Sequence, residues 1–73
     1  MSAFADKAVK TDVRICFGIT WFATEEDADA YAAEVVAEGR TYNGGFYHGM
    51  RCGRDKSWDY DDKELGRLYA VTF

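Results

Sequence analysis

Histidine, paired cysteines and long apolar runs are what this chain has least of, and each shortage removes a class of function. There is one histidine, His48. A general base wants a nucleophile or carboxylate partner, and the sequence identifies none. The expectation is a half-buried strand histidine. The two cysteines, Cys16 and Cys52, are far apart in the chain and form no CxxC or Cys/His cluster. They are too few for a disulfide framework and do not read as zinc ligands. Buried free thiols, as in a cytoplasmic protein, are expected. A Cys52–His48 pair at i, i+4 on a strand would share a face but stand too far apart for a dyad, because a strand rises about 3.3 Å per residue. No apolar run approaches the roughly 18 residues of a membrane span. The start, MSAFADKAVK, lacks the apolar core of a signal peptide. The expected location is the cytoplasm, without membrane contact.

Cofactor motifs are missing too. The glycines of YNGGFYHGMRCGRD match neither a G-x-x-x-x-G-K-[ST] phosphate cradle nor G-x-G-x-x-G. They read as turn and strand glycines. Asp59, Asp61, Asp62 and Glu64 lack the D-x-[DN]-x-[DN]-G pattern of a calcium loop, and a solvated loop is the expectation. No catalytic residue, cofactor or metal site is expected, and the chain does not read as an enzyme.

Seventy-three residues make one domain at most. A domain this size buries only about 60% of its unfolded surface, so its stability is marginal. Apolar residues make up 48% of the chain and aromatics 16%, which favours a folded domain. It also leaves aromatics that dimerisation or a partner would cover. The net charge is −4 and the pI about 4.7. That disfavours nucleic acid as a direct partner and favours basic proteins, including those that themselves bind nucleic acid.

The organising stretch is Thr24 to Gly39, TEEDADAYAAEVVAEG. Thr24 suits the N-cap, with Asp27 as a weak capping-box residue, and Gly39 suits the left-handed position that ends a helix. Ala28, Tyr31, Ala32 and Val35 form one apolar stripe. Glu25, Glu26 and Asp29 flank it on one side, Asp27, Glu34 and Glu38 on the other, and Ala30, Ala33 and Ala37 occupy the outer face. The stretch holds six acids and no base.

Residues 1–11 read as a loose N-terminal arm that Phe4 and Val9 could dock, and residues 12–73 as a single α+β domain. Asp12–Phe22 is the clearest strand, with Val13, Ile15, Phe17, Ile19 and Trp21 on one face and Arg14, Cys16, Gly18 and Thr20 on the other, one of the two faces being expected against the helix and one nearer solvent. Gly18 marks a bulge or a close approach to the backbone. Arg40–Gly45 is turn chemistry, and Phe46–Cys52 reads as a second, glycine-weakened strand. Gly53–Glu64 is a charged loop in which Trp58 and Tyr60 either fold onto the core or form a short strand at 57–60. Leu65–Phe73, apolar on both faces, fits a central strand. The expectation is a β-α-β-β domain: a three-stranded antiparallel sheet in order 1-3-2 with one amphipathic helix on one face.

Phe46, Tyr47 and Arg51 would allow base stacking on the sheet, against which the acidic balance argues. The helix acids, with Asp55, Asp59, Asp61 and Asp62, suggest an acidic surface for a basic groove. Acids at i and i+4 lie about 6 Å apart along a helix, a spacing compatible with mimicry of a run of phosphates.

In its chain length, its acidic helix Glu25–Glu38 and its exposed-looking Tyr47, Trp58 and Tyr60, the chain resembles the small inhibitor proteins of phages and mobile elements, anti-CRISPR proteins among them. The resemblance is one of whole-chain profile and carries no family residue over. It implies a non-enzymatic viral inhibitor in the host cytoplasm, acting by protein–protein interaction with a basic nucleic-acid-binding protein or complex. The expected contact residues are Glu25, Glu26, Asp29, Tyr47, Trp58, Asp59, Tyr60, Asp61 and Asp62. The alternatives are a self-associating structural module, a homodimer through a sheet face or edge, and an aromatic-sheet ligand or nucleic-acid binder.

Overall fold

In the computed structural model, residues 5–15, 17–42 and 49–73 are described. The expectations on Phe4, Cys16, the turn at 43–45 and Phe46, Tyr47 and His48 lie outside them. One α-helix packs on a four-stranded antiparallel sheet. The strands are β1 (Lys10–Val13), β2 (Gly18–Phe22), β3 (Tyr60–Asp62) and β4 (Gly66–Thr72), and the helix α1 is Glu25–Glu38. Their order in the sheet is β1-β2-β4-β3.

The helix starts and stops where its sequence signals stand. The Thr24 hydroxyl accepts the Asp27 N–H at 3.2 Å, and Gly39 adopts φ 71° while its own N–H closes on Val36 O. That left-handed geometry is cheap for glycine and strained for other residues. Ala28, Ala32 and Val35 are buried and Tyr31 is half-buried, as the stripe requires.

The sheet corrects the expected three strands in order 1-3-2. What read as one strand, Asp12–Phe22, is the hairpin β1–β2, turning where Arg14 N–H donates to Phe17 O at 2.7 Å. The apolar alternation runs through this turn, so it does not reveal the reversal. Val13 and Ile15 therefore end exposed, and Ile19 and Trp21 lie on the sheet face away from the helix. The first strand also begins at Lys10, inside the stretch read as an arm.

The expected second strand is displaced as well. In the described part of Phe46–Cys52, residues 50–52 pair back on residues 40–42 in a small separate ladder, through Tyr42 N–H to Met50 O and Cys52 N–H to Arg40 O. Residues 53–55 then run beside the C-terminal half of β4, with Thr72 N–H donating to Gly53 O at 2.8 Å. A 3-10 turn, Lys56–Trp58, bulges out, and β3 pairs with the N-terminal half of β4. Both β2 and β3 thus flank β4, which is the interior strand its two apolar faces suggested.

Every residue of β2 is buried, because both faces of the sheet are covered. On the helix side Phe22 and Val71 pack with Ala28, Ala32, Val35, Tyr42 and Cys52. On the opposite side Ile19, Trp21, Leu68 and Ala70 form a second cluster, covered by Phe17, Trp58 and Tyr60.

Candidate functional site: the charged and aromatic surface

The sequence-predicted acids divide into those the fold uses and those it leaves outward. Arg54 draws the division. Its bridge to Val71 places it beside β4, where its guanidinium meets groups from three directions. It holds Asp59 in a two-pronged pair, Nη1 to Oδ1 at 2.7 Å and Nη2 to Oδ2 at 2.8 Å. Nη1 also donates to Ala70 O at 2.9 Å. From the helix, Glu25 Oε2 lies 3.4 Å from Nη2 and Asp29 Oδ1 lies 3.4 Å from Nε. The cation stands over the Tyr69 ring at 5.6 Å.

The Asp59 side chain is only 5% exposed and that of Arg54 13%, so this pair is structural. Burial alone would push the Asp59 carboxyl up, but hydrogen bonds from Arg54 and from the Ala70 N–H outweigh it and hold the carboxyl below its usual range. The bond to Asp59 raises Arg54, against the opposing pull of burial. Sequence reasoning singled out the surrounding acids and missed this arginine. The available signal was a base, one of two in the GRDKSW segment, among acids it was positioned to neutralise.

A second chain of polar contacts lies across the sheet's other side. Lys10 Nζ donates to Tyr60 Oη at 2.9 Å, and Tyr60 Oη donates to Asp62 Oδ2 at 3.1 Å. Asp62 Oδ1 accepts the N–H groups of Glu64 and Leu65, so it closes the turn into β4. Those two bonds draw its carboxyl below the usual range, and the bond to Tyr60 raises Lys10. Lys10 sits 5.7 Å from the Trp21 ring and 5.3 Å from the Tyr60 ring.

Trp58 and Tyr60, expected as surface anchors, are half-buried against the second cluster. Trp58 O accepts the Trp21 indole N–H at 2.9 Å, and Arg14 lies over the Trp58 ring at 5.0 Å. Tyr60 meets Trp21 edge-on at 5.7 Å. An open pocket of about 210 Å³ lies beside Trp58, lined by Phe17, Tyr42, Met50, Asp55 and Ser57. The rings of Phe17 and Tyr42 stack at 4.3 Å along it. Asp55 Oδ1 is engaged by the N–H and hydroxyl of Ser57.

The remaining predicted acids face outward. Glu26 and Asp61 are exposed. Asp61 has Arg67 at 3.6 Å, a loose surface pair. Lys7 is 3.6 Å from Asp27. Glu26 and Glu38 have no ion-pair partner among the described residues. Glu26 lies with Ala33 and Ala37 on the exposed outer side of α1, and Glu38 is exposed at the helix's C-terminal end.

Among the described residues no cluster of His, Cys, Asp and Glu is placed to hold a metal ion. Among them, too, no helix is long and apolar enough to cross a membrane. Cys52 is a buried free thiol whose pKa burial pushes up, with Arg40 and Thr72 partly offsetting it. The chain matches no protein-family model, and neither a curated protein nor a solved structure matches it.

Proposed function

We propose that this protein is a non-enzymatic binding protein whose outer helix face docks on a basic, nucleic-acid-binding protein and occupies its nucleic-acid groove. The observation that carries this reading is the exposed face of α1. Six acids stand on the segment without one base. The fold turns Glu25 and Asp29 toward Arg54 and leaves Glu26 outward beside small alanines and Glu38 outward at the helix's C-terminal end. Small side chains let a partner approach the helix closely, and unneutralised carboxylates steer a basic surface to it. The contact set therefore centres on Glu26 and Glu38, with Asp61 at the β3–β4 end. Glu25, Asp29, Asp59 and Asp62 serve the fold. Trp58 supplies a half-exposed aromatic rim, of the residue type that dominates binding hot spots.

The inhibitor role follows the whole-chain resemblance to phage and mobile-element inhibitors. Its test is a host-lysate pull-down at low and high salt with wild type and the double variant Glu26→Lys, Glu38→Lys. The expected result is a nucleic-acid-processing complex retained by wild type, weakened by salt and lost with the variant, and unable to bind its nucleic acid while the protein is on it. Equal retention by both proteins would sink the electrostatic docking. Undiminished nucleic-acid binding by the captured complex would sink the inhibition.

A further inference from the structure

We propose that the pocket beside Trp58 is a subsite for one arginine side chain of a protein partner. That the arginine belongs to the basic partner proposed above rests on that reading. The recognition itself does not, and its test needs only a capped amino acid.

Three segments build the pocket. Phe17 comes from the β1–β2 turn, Tyr42 and Met50 from the small ladder at 40–42 and 50–52, and Asp55, Ser57 and Trp58 from the 3-10 turn and its cap. Its volume is about 210 Å³, below the roughly 300–1,000 Å³ of sites that enclose a drug-sized ligand. A single side chain is the scale it suits.

Asp55 gives the pocket its sign. Its N–H donates to Ala70 O at 3.3 Å, which ties it to β4. Its Oδ1 accepts the N–H and the hydroxyl of Ser57 at 3.0 and 2.6 Å. These bonds hold the carboxylate in one place. Its Oδ2 has no hydrogen-bond or ion-pair partner among the described residues. The described lining residues include this one acid and no base. Arg14 stands over the Trp58 ring, but its guanidinium is paired with Asp12 at 3.1 Å. A fixed carboxylate with a spare oxygen, in an aromatic wall, selects a cation that carries hydrogen-bond donors.

Arginine suits these walls better than lysine. A guanidinium is more weakly hydrated than an ammonium, stacks on aromatic rings and offers paired donors to a carboxylate. The chain uses this combination once within itself: Arg54 is held by Asp59 and stands over the Tyr69 ring at 5.6 Å. The pocket presents the same two kinds of partner, a carboxylate and aromatic rings, at the surface. A free amino acid would bring its own carboxylate close to Asp55, a like-charge contact that a residue within a chain avoids.

The test is a titration of isotope-labelled protein with Nα-acetyl-arginine amide, followed by NMR at the Trp58 indole N–H and the Met50 amide. Saturable shifts at both are expected, with a dissociation constant on the order of millimolar, the strength of a few contacts. The matching citrulline amide, similar in shape but uncharged, should not bind. Nα-acetyl-lysine amide and free arginine should bind several-fold more weakly. Asp55→Asn keeps an oxygen for Ser57 and deletes the charge, so it should fold and bind at least about tenfold more weakly. The double variant Glu26→Lys, Glu38→Lys should bind as wild type does, so failure of the helix-face docking would leave these results unchanged. Wild type without shifts at Trp58, citrulline or lysine amide binding as tightly as the arginine amide, or undiminished binding by Asp55→Asn overturns the subsite. Free arginine binding as tightly as its capped form overturns a protein partner as its source.

Discussion

The two faces of the sheet are closed by different means. On the helix face, Phe22, Val71 and the small residues Ala28, Ala32 and Val35 interlock under a capped helix. On the opposite face the described residues include no α-helix. Ile19, Trp21, Leu68 and Ala70 are covered by Phe17 from the β1–β2 turn, Trp58 from the 3-10 turn and Tyr60 at the start of β3, held by the Trp21–Trp58 bond and by Lys10 over two rings. One face is closed by burial of apolar area, the other by aromatic edges, a cation and one indole bond. Arg54 couples the helix to the turn that carries this second cover, because its guanidinium faces Glu25 and Asp29 of the helix while it holds Asp59 through both Nη atoms. The fold of so short a chain thus needs both closures and a clamp between them.

The largest effect should come from emptying the helix face. Phe22→Ala removes a fully buried ring and should cost about 3–5 kcal/mol, a large part of the stability of a small domain. Loss of the cooperative urea transition is the readout.

Breaking the clamp comes next. Asp59→Asn should cost about 3 kcal/mol, the low end for breaking a buried ion pair, since Glu25 and Asp29 still face Arg54. The same variant has a pH signature. The Asp59 carboxyl is held below its ordinary value in the folded protein, so the unfolded chain takes up the proton first on acidification. The pair's contribution is full above about pH 4 and is lost as pH falls through the folded value. Wild type should lose stability below about pH 4, and Asp59→Asn should lose less. Asp62, depressed in the same direction, accounts for acid sensitivity that remains. Equal acid sensitivity of the two proteins would remove Asp59 from the clamp.

The opposite face should yield smaller changes. Trp21→Phe keeps most of the ring but deletes the N–H to Trp58 O, for about 1–2 kcal/mol. Trp58, then the remaining tryptophan, reports by its fluorescence whether the cover opens before the helix face does. Lys10→Met should have the smallest effect, since it removes only an exposed cation–ring contact, read as a slight shift of the urea midpoint. If Lys10→Met matched Phe22→Ala, the contrast between the two closures would collapse.

What was legible in the sequence was local. The helix limits rest on Thr24 and Gly39, whose chemistry acts within a turn of their own position. Gly18 was read as a bulge or a close approach to the backbone, and it is the second: the Phe73 ring lies where its Cβ would stand, within 2.5–2.9 Å. What was not legible depends on distant partners. The β1–β2 turn has no Asn-Gly or Gly pair to announce it, and the alternation continues through it. The internal use of Glu25, Asp29 and Asp59 depends on where the chain delivers Arg54, which no spacing within the acidic segments encodes. The half-burial of Trp58 and Tyr60 likewise follows from the 3-10 turn that swings them under the sheet.

The interior place of β4 sets an order of events for a chain emerging from its N-terminus. β1, β2, α1 and β3 all precede the one strand that joins β2 to β3. Until Gly66–Thr72 is made, the helix has a hairpin beside it but not the strand that carries Val71, and Leu68 and Ala70 are missing from the opposite cluster. Ile19 waits for Thr72, its partner from the far end of the chain. Such distant pairings close slowly. Until that strand is made, the nascent chain carries an exposed amphipathic helix beside an unfinished sheet, and adding it supplies the missing part of both faces.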